Sequence, residues 1–110
     1  MNSTMIEQKT AEGLENSKNN VRVVLREFIL EPDLKQKFLH ILEDVLAPKG
    51  MHVIYDDDTN VFTSIESNGQ EVNIDKGVII VALDEFQKTY PKLISLTRIA
   101  DIQSKLNQSY

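Results

Sequence analysis

The sequence predicts an α+β fold: two N-terminal helices, a three- to four-stranded antiparallel β-meander and a C-terminal amphipathic helix. Three observations predict it. Leu34, Phe38, Leu42 and Val45 recur along one helical face, widened by Leu39, Ile41 and Leu46. Asn68-Gly69 stands between two alternating segments. That dipeptide is the strongest short-range hairpin signal, because a type I′ turn needs positive φ at both central positions. Near the end, Leu93, Leu96, Ile99, Ile102 and Leu106 draw a second apolar stripe at helical spacing.

With 110 residues, 41% of them apolar, the chain suits one domain with its own core. Residues 1–19 are polar, and Met5, Ile6 and Leu14 are too sparse to define a core-facing stripe. They read as a flexible arm, or a weak first helix, ahead of a domain over residues 20–107. Val21, Val24, Leu25 and Phe28 fit helical spacing, whereas Val21, Val23 and Leu25 fit strand alternation. Helix is favoured because Arg22, Arg26 and Glu27 then share a polar side. Glu31-Pro32 ends that segment, and Pro32 suits the first turn of the next helix, with Asp33 favourable beside it. Ala47, Pro48, Lys49 and Gly50 stop the second helix.

Residues 51–55 then read as a strand, residues 56–60 as an acidic turn, and Val61, Thr63 and Ile65 as one face of a second strand. A third strand is expected over residues 70–75, and the apolar run 78–83 reads as a fourth, buried strand. Residues 84–89 suit a short helical turn. Tyr90-Pro91 suits the start of the last helix, with proline at its first position.

Charge narrows the partners. Seventeen acids against twelve Lys and Arg give a net charge of −5, which disfavours direct nucleic-acid binding. Residues 51–75 hold Asp56, Asp57, Asp58, Glu66, Glu71 and Asp75 and neither Lys nor Arg. Solvated loops favour such residues, and an acidic surface that steers a basic partner is the sharper reading. No run approaches the roughly 18 apolar residues of a membrane helix. The start has no basic segment followed by an apolar one, and there is no cysteine, so a cytoplasmic protein is expected.

Catalytic and metal-binding patterns are weak. Asp56, Asp58 and Asn60 open like a calcium loop, but its sixth and twelfth positions hold Val61 and Ser67 where glycine and glutamate belong. His40 lies within helical reach of Glu43 and Asp44, and His52 begins a strand, so no zinc set converges. Gly13, Gly50, Gly69 and Gly77 stand singly, which denies a phosphate loop, and no serine lies in a nucleophile elbow. Neither catalysis nor a cofactor is expected.

Two resemblances follow from the strand region. Pro48-x-Gly50-Met51-x-Val53, then Asp57-Asp58-Thr59, resembles the P-x-G-V-x-V…E-D-T stretch of nitrile-hydratase-type leader peptides. Residues 32–39 resemble their upstream helix, although the pieces lie closer together here and the closing V-L-P is missing. That resemblance implies a substrate or carrier in peptide maturation. In size, charge and element order the chain is also similar to class I type III secretion chaperones, with fewer strands than their full pattern. This second likeness implies a dimer that holds another polypeptide.

The expectation is therefore a small acidic protein-binding module of the inhibitor, adaptor or immunity type. Asp56, Asp57, Asp58, Glu66 and Glu71 would face a partner with a basic surface. Leu93, Leu96, Ile99, Ile102 and Leu106 would pack on the chain's own sheet, with a homodimer or partner-helix contact as the alternative. A polypeptide chaperone or carrier is the second functional expectation.

Overall fold

A computed structural model describes residues 2–108, and side chains from residue 13 onward. Among the described residues there are four α-helices and a three-stranded antiparallel sheet. They run α1 (Asn2–Glu27), α2 (Pro32–Leu46), β1 (His52–Tyr55), β2 (Phe62–Ser67), β3 (Gln70–Glu71), α3 (Lys76–Thr89) and α4 (Leu96–Gln108). No helix of this set is long and apolar enough to cross a membrane.

α2 forms where its periodicity places it. Pro32 opens it and Asp33 lies in its first turn, while Leu34, Phe38, Leu39, Ile41, Leu42 and Leu46 bury one side. A 3-10 turn over Ala47–Lys49 follows, and Gly50 at φ 75° closes it in the left-handed region that glycine enters without strain. The strands obey local chemistry as well. Val53 pairs with Ile65 and Ile54 with Ser64, and a bulge at Tyr55 precedes the acidic turn. Asn68 and Gly69 have φ 54° and 77°, the two positive values of a type I′ turn.

Three expectations need correction, and the N-terminal stretch takes the helical one of its two readings. The boundary between residues 19 and 20 falls inside α1, which is continuous to Glu27. Within the stretch read as an arm, Ser17 is buried, and its Oγ accepts the Ile74 N–H at 2.9 Å. Gly13 lets Asn73 approach the same helix, since a Cβ there would lie 2.6 Å from Asn73 Nδ2. The contact is polar, so an apolar stripe could not announce it. Met5 and Ile6 have side chains outside the described residues.

The run 78–83 is helical, inside α3, and the meander stops at three strands. Ile79, Ala82, Leu83 and Phe86 bury the i, i+3, i+4, i+7 face, and Asp75 caps the start by accepting the Gly77 N–H. A run apolar on every side suits a buried strand and a buried helix equally, and packing on α2 and α4 decides it. β3 spans only Gln70–Glu71, shorter than the strand expected over 70–75. Lastly, α4 starts at Leu96 rather than at Pro91. Tyr90 turns the chain by accepting the N–H groups of Leu93 and Ile94, and Ser95 Oγ caps α4 through the Arg98 N–H at 3.1 Å.

The core lies between the helices and one face of the sheet. Its centre is aromatic: Phe28, Phe38 and Phe86 are fully buried, with ring centroids 5.7 to 6.2 Å apart. Tyr90 stands edge-on to Phe86 at 5.7 Å. Polar bonds lock α4 onto this core. Arg98 bridges Glu31 with both arms, donates to the Glu27 carbonyl at 3.0 Å and lies 5.2 Å over the Phe28 ring. Lys105 reaches Glu27 at 2.7 Å, and Gln103 donates to Asp84 at 2.9 Å.

Candidate functional site

A groove of about 260 Å³ lies where α1, α2 and the start of β2 meet. Arg22, Leu25 and Arg26 sit at i, i+3, i+4 on α1, so all three project to one side of the helix. Ile29 follows in the connection to α2, and Lys35 reaches in from the first turns of α2. The far wall is Asn60, Val61 and Phe62 at the start of β2. Phe62 and Leu25 are buried, whereas Ile29 and Val61 are 70% and 56% exposed. Leu30, next to Ile29, is 90% exposed.

Asn60 sets the wall in place. Its φ of 57° lies in the left-handed region, which asparagine enters more readily than most residues. Its N–H donates to the Asp56 carbonyl at 2.7 Å, and its Nδ2 donates to the Pro32 carbonyl at 3.3 Å. The β1–β2 turn is thereby stitched to the start of α2. Arg22 is held by Glu15 at 3.2 Å and Asn19 at 3.1 Å. Arg26 and Lys35 have no carboxylate partner among the described residues.

The acids expected to share one surface fall into two places. Asp56, Asp57 and Asp58 form the β1–β2 turn beside the groove, all exposed. Asp56 Oδ1 accepts the N–H groups of Asp58 and Thr59 at 2.8 and 3.1 Å, so it holds the turn. Burial, then the charge of Asp57, pushes the Tyr55 phenol above its ordinary value. Glu66 lies at the other end of β2, opposite Glu71 and His52 across the two ladders. At about 3.3 Å per residue, the length of β2 separates it from the acidic turn. Glu71 is paired with Lys18 at 2.5 Å, so α1 claims one acid of this second group.

The C-terminal stripe divides too. Ile99, Ile102 and Leu106 fill the core, while Leu93 and Leu96 are 50% and 71% exposed, ahead of and at the start of α4. His40 lies 6.2 Å from the Tyr55 ring, and Glu43 bonds His52 at 3.0 Å and accepts the Val53 N–H at 2.5 Å. Glu43 thus ties α2 to β1. Among the described residues no His, Asp and Glu group is arranged to hold a metal ion. The shifted ionisations at Arg98 and Lys105 are structural: the hydrogen bonds they donate to Glu31 and Glu27, respectively, raise them.

The groove escapes sequence reading because its residues come from three elements and look ordinary in each. Arg22 and Arg26 were expected on a polar helix side. The available signal was that side's i, i+4 pair of like charges, which disfavours a helix unless something else uses it. Compared with known proteins, the chain matches no family model, no curated protein and no solved structure.

Proposed function

We propose that the protein is a small non-catalytic binding module that works by occupying the surface of a partner protein one to one. The observation that carries this reading is the aliphatic patch of Ile29, Leu30 and Val61, which stand 70%, 90% and 56% exposed around the groove. An apolar centre within a charged surround is the anatomy of a protein interface, and each aliphatic side chain covered by a partner is favourable at about 25 cal/mol per Å². Asp56, Asp57 and Asp58 lie next to the patch and steer a basic group of the partner toward it. A cytoplasmic setting, an inhibitor, adaptor or immunity role and a partner with a basic element belong to this reading.

The test uses the full chain as bait in extracts of its native host, beside an Ile29→Asp/Val61→Asp variant. Both positions are exposed, so the variant keeps its core. A protein captured in one-to-one amount by the wild type and lost with the variant is the expected result. Identical captures by the two baits would sink the reading. With that partner purified, replacing the three aspartates by asparagine should slow association and flatten its salt dependence. Asparagine keeps the side-chain oxygen that holds the turn at position 56.

A second reading, a chaperone or carrier for another polypeptide, is favoured by Leu93 and Leu96. They leave an apolar strip at the start of α4 that suits a second copy of the chain. It predicts a stable homodimer by light scattering, and a strict monomer would exclude the dimeric chaperone form.

A further inference from the structure

The groove runs against the composition of the chain. Acids outnumber bases by seventeen to twelve, yet every ionisable group that lines it is basic. Local helix physics accounts for part of this arrangement only. Arg26 in the last turn of α1 complements the negative end of that helix. Lys35 stands near the positive end of α2, where a cation is unfavourable, and Arg22 and Arg26 repel at i, i+4. Three cations therefore converge at some cost, and two of them have no carboxylate partner among the described residues.

Size and lining say what would relieve that repulsion. About 260 Å³ of open groove falls below the roughly 300 to 1,000 Å³ of sites that enclose a small molecule. The space suits one or two side chains projecting from a longer chain. The rest of the lining is Leu25, Ile29, Val61 and Phe62, so a bare inorganic anion would leave the apolar part wet. An occupant with carboxylates and an aliphatic side chain close together satisfies both halves.

We propose that the groove docks an extended acidic segment of the partner protein, with an aspartate or glutamate between Arg26 and Lys35 and an adjacent aliphatic side chain on Ile29 and Val61. This deepens the binding-module reading and rests on it. The partner then carries both signs: a basic element toward Asp56, Asp57 and Asp58, and an acidic one in the groove. Such a bipolar match fixes the orientation of the complex and rejects partners of single-signed surface.

The test titrates the full-length protein with a capped acidic peptide, acetyl-Gly-Asp-Leu-Glu-Val-Asp-Gly-amide, followed by amide chemical shifts. Parallel arms use the Asn/Gln and Lys versions of that peptide, inorganic phosphate and phosphatidylserine vesicles. The acidic peptide should shift residues 22, 26, 35 and 61 and bind more weakly as salt rises. Arg26→Glu/Lys35→Glu should weaken it at least about tenfold, since two exposed ion pairs become repulsions. If that variant unfolds, Arg26→Gln/Lys35→Gln carries the test with a smaller expected loss.

Equal binding of the Asn/Gln or Lys peptide would overturn the proposal. So would indifference to both variants, or shifts from phosphate or vesicles alone. A captured partner that is lost with the Ile29/Val61 variant but unaffected by the charge reversal would remove the acidic occupant and leave the binding module standing. A partner indifferent to both variants would remove the module itself.

Discussion

Replacing Ser17 by alanine tests whether residues 13–20 are docked or form a free arm. Ser17 is 4% exposed, and its Oγ is the acceptor for the Ile74 N–H at 2.9 Å, with Ile74 itself buried at 9%. Deleting the hydroxyl strands a buried backbone donor, which costs about 1 to 3 kcal/mol. Alanine is the better helix former by about 0.5 kcal/mol, and that gain offsets part of the loss. The net expectation is a destabilisation of about 0.5 to 2.5 kcal/mol, or on the order of 4 °C in Tm for each kcal/mol. Equilibrium urea unfolding followed by circular dichroism reads it directly, with an unchanged m-value as the sign that both end states are intact. Asn19→Ala, on the exposed side of α1, is the control and should stay within about 0.5 kcal/mol of wild type. A Ser17→Ala protein as stable as wild type, or more so, would refute the docking. In an undocked helix only the propensity gain remains, and its sign is opposite.

Phe86→Ala should cost about 3 to 5 kcal/mol, because Phe86 packs on Phe28, Phe38 and Tyr90 at 5.7 to 5.9 Å and is fully buried. A loss under about 1.5 kcal/mol by calorimetry would mean that these rings do not form one packed aromatic centre. The hydrogen bond from Arg98 holds the Glu31 carboxyl below its ordinary value. A group lowered in the folded state contributes stability above the unfolded carboxylate range and loses it as pH falls through the lowered value. Arg98→Gln should therefore flatten the acid limb of the stability curve. An NMR titration that finds Glu31 at its ordinary value in the wild type would contradict the pairing.

Much of the fold is legible because it is local. The stripe from Leu34 to Leu46, Pro32 at the helix start and Gly50 at its close each act within a turn or two of helix. Asn68-Gly69 specifies its turn by backbone sterics alone. The acidic turn is legible for the same reason, since Asp56 caps its own backbone. Residues 78–83 illustrate the limit. Asp75 as a cap and Phe86 one face further on were the helical signals, but six apolar residues in a row erase the periodicity that separates strand from helix. The C-terminal stripe shows a related limit: spacing alone does not separate the buried Ile99, Ile102 and Leu106 from the exposed Leu93 and Leu96.

By itself the sequence determined the α+β class, the second helix, the hairpin and the acidity of the turn at Asp56, Asp57 and Asp58. Those follow from neighbouring residues and from composition. The tertiary structure alone decided that α1 is continuous through Ser17, that α3 replaces a fourth strand, and that Arg22, Arg26 and Lys35 meet around an aliphatic patch. The physical reason is the same in each case. A hydrogen bond across 57 residues and a groove drawn from three elements depend on which surfaces the core brings together. No window of neighbouring residues carries that information.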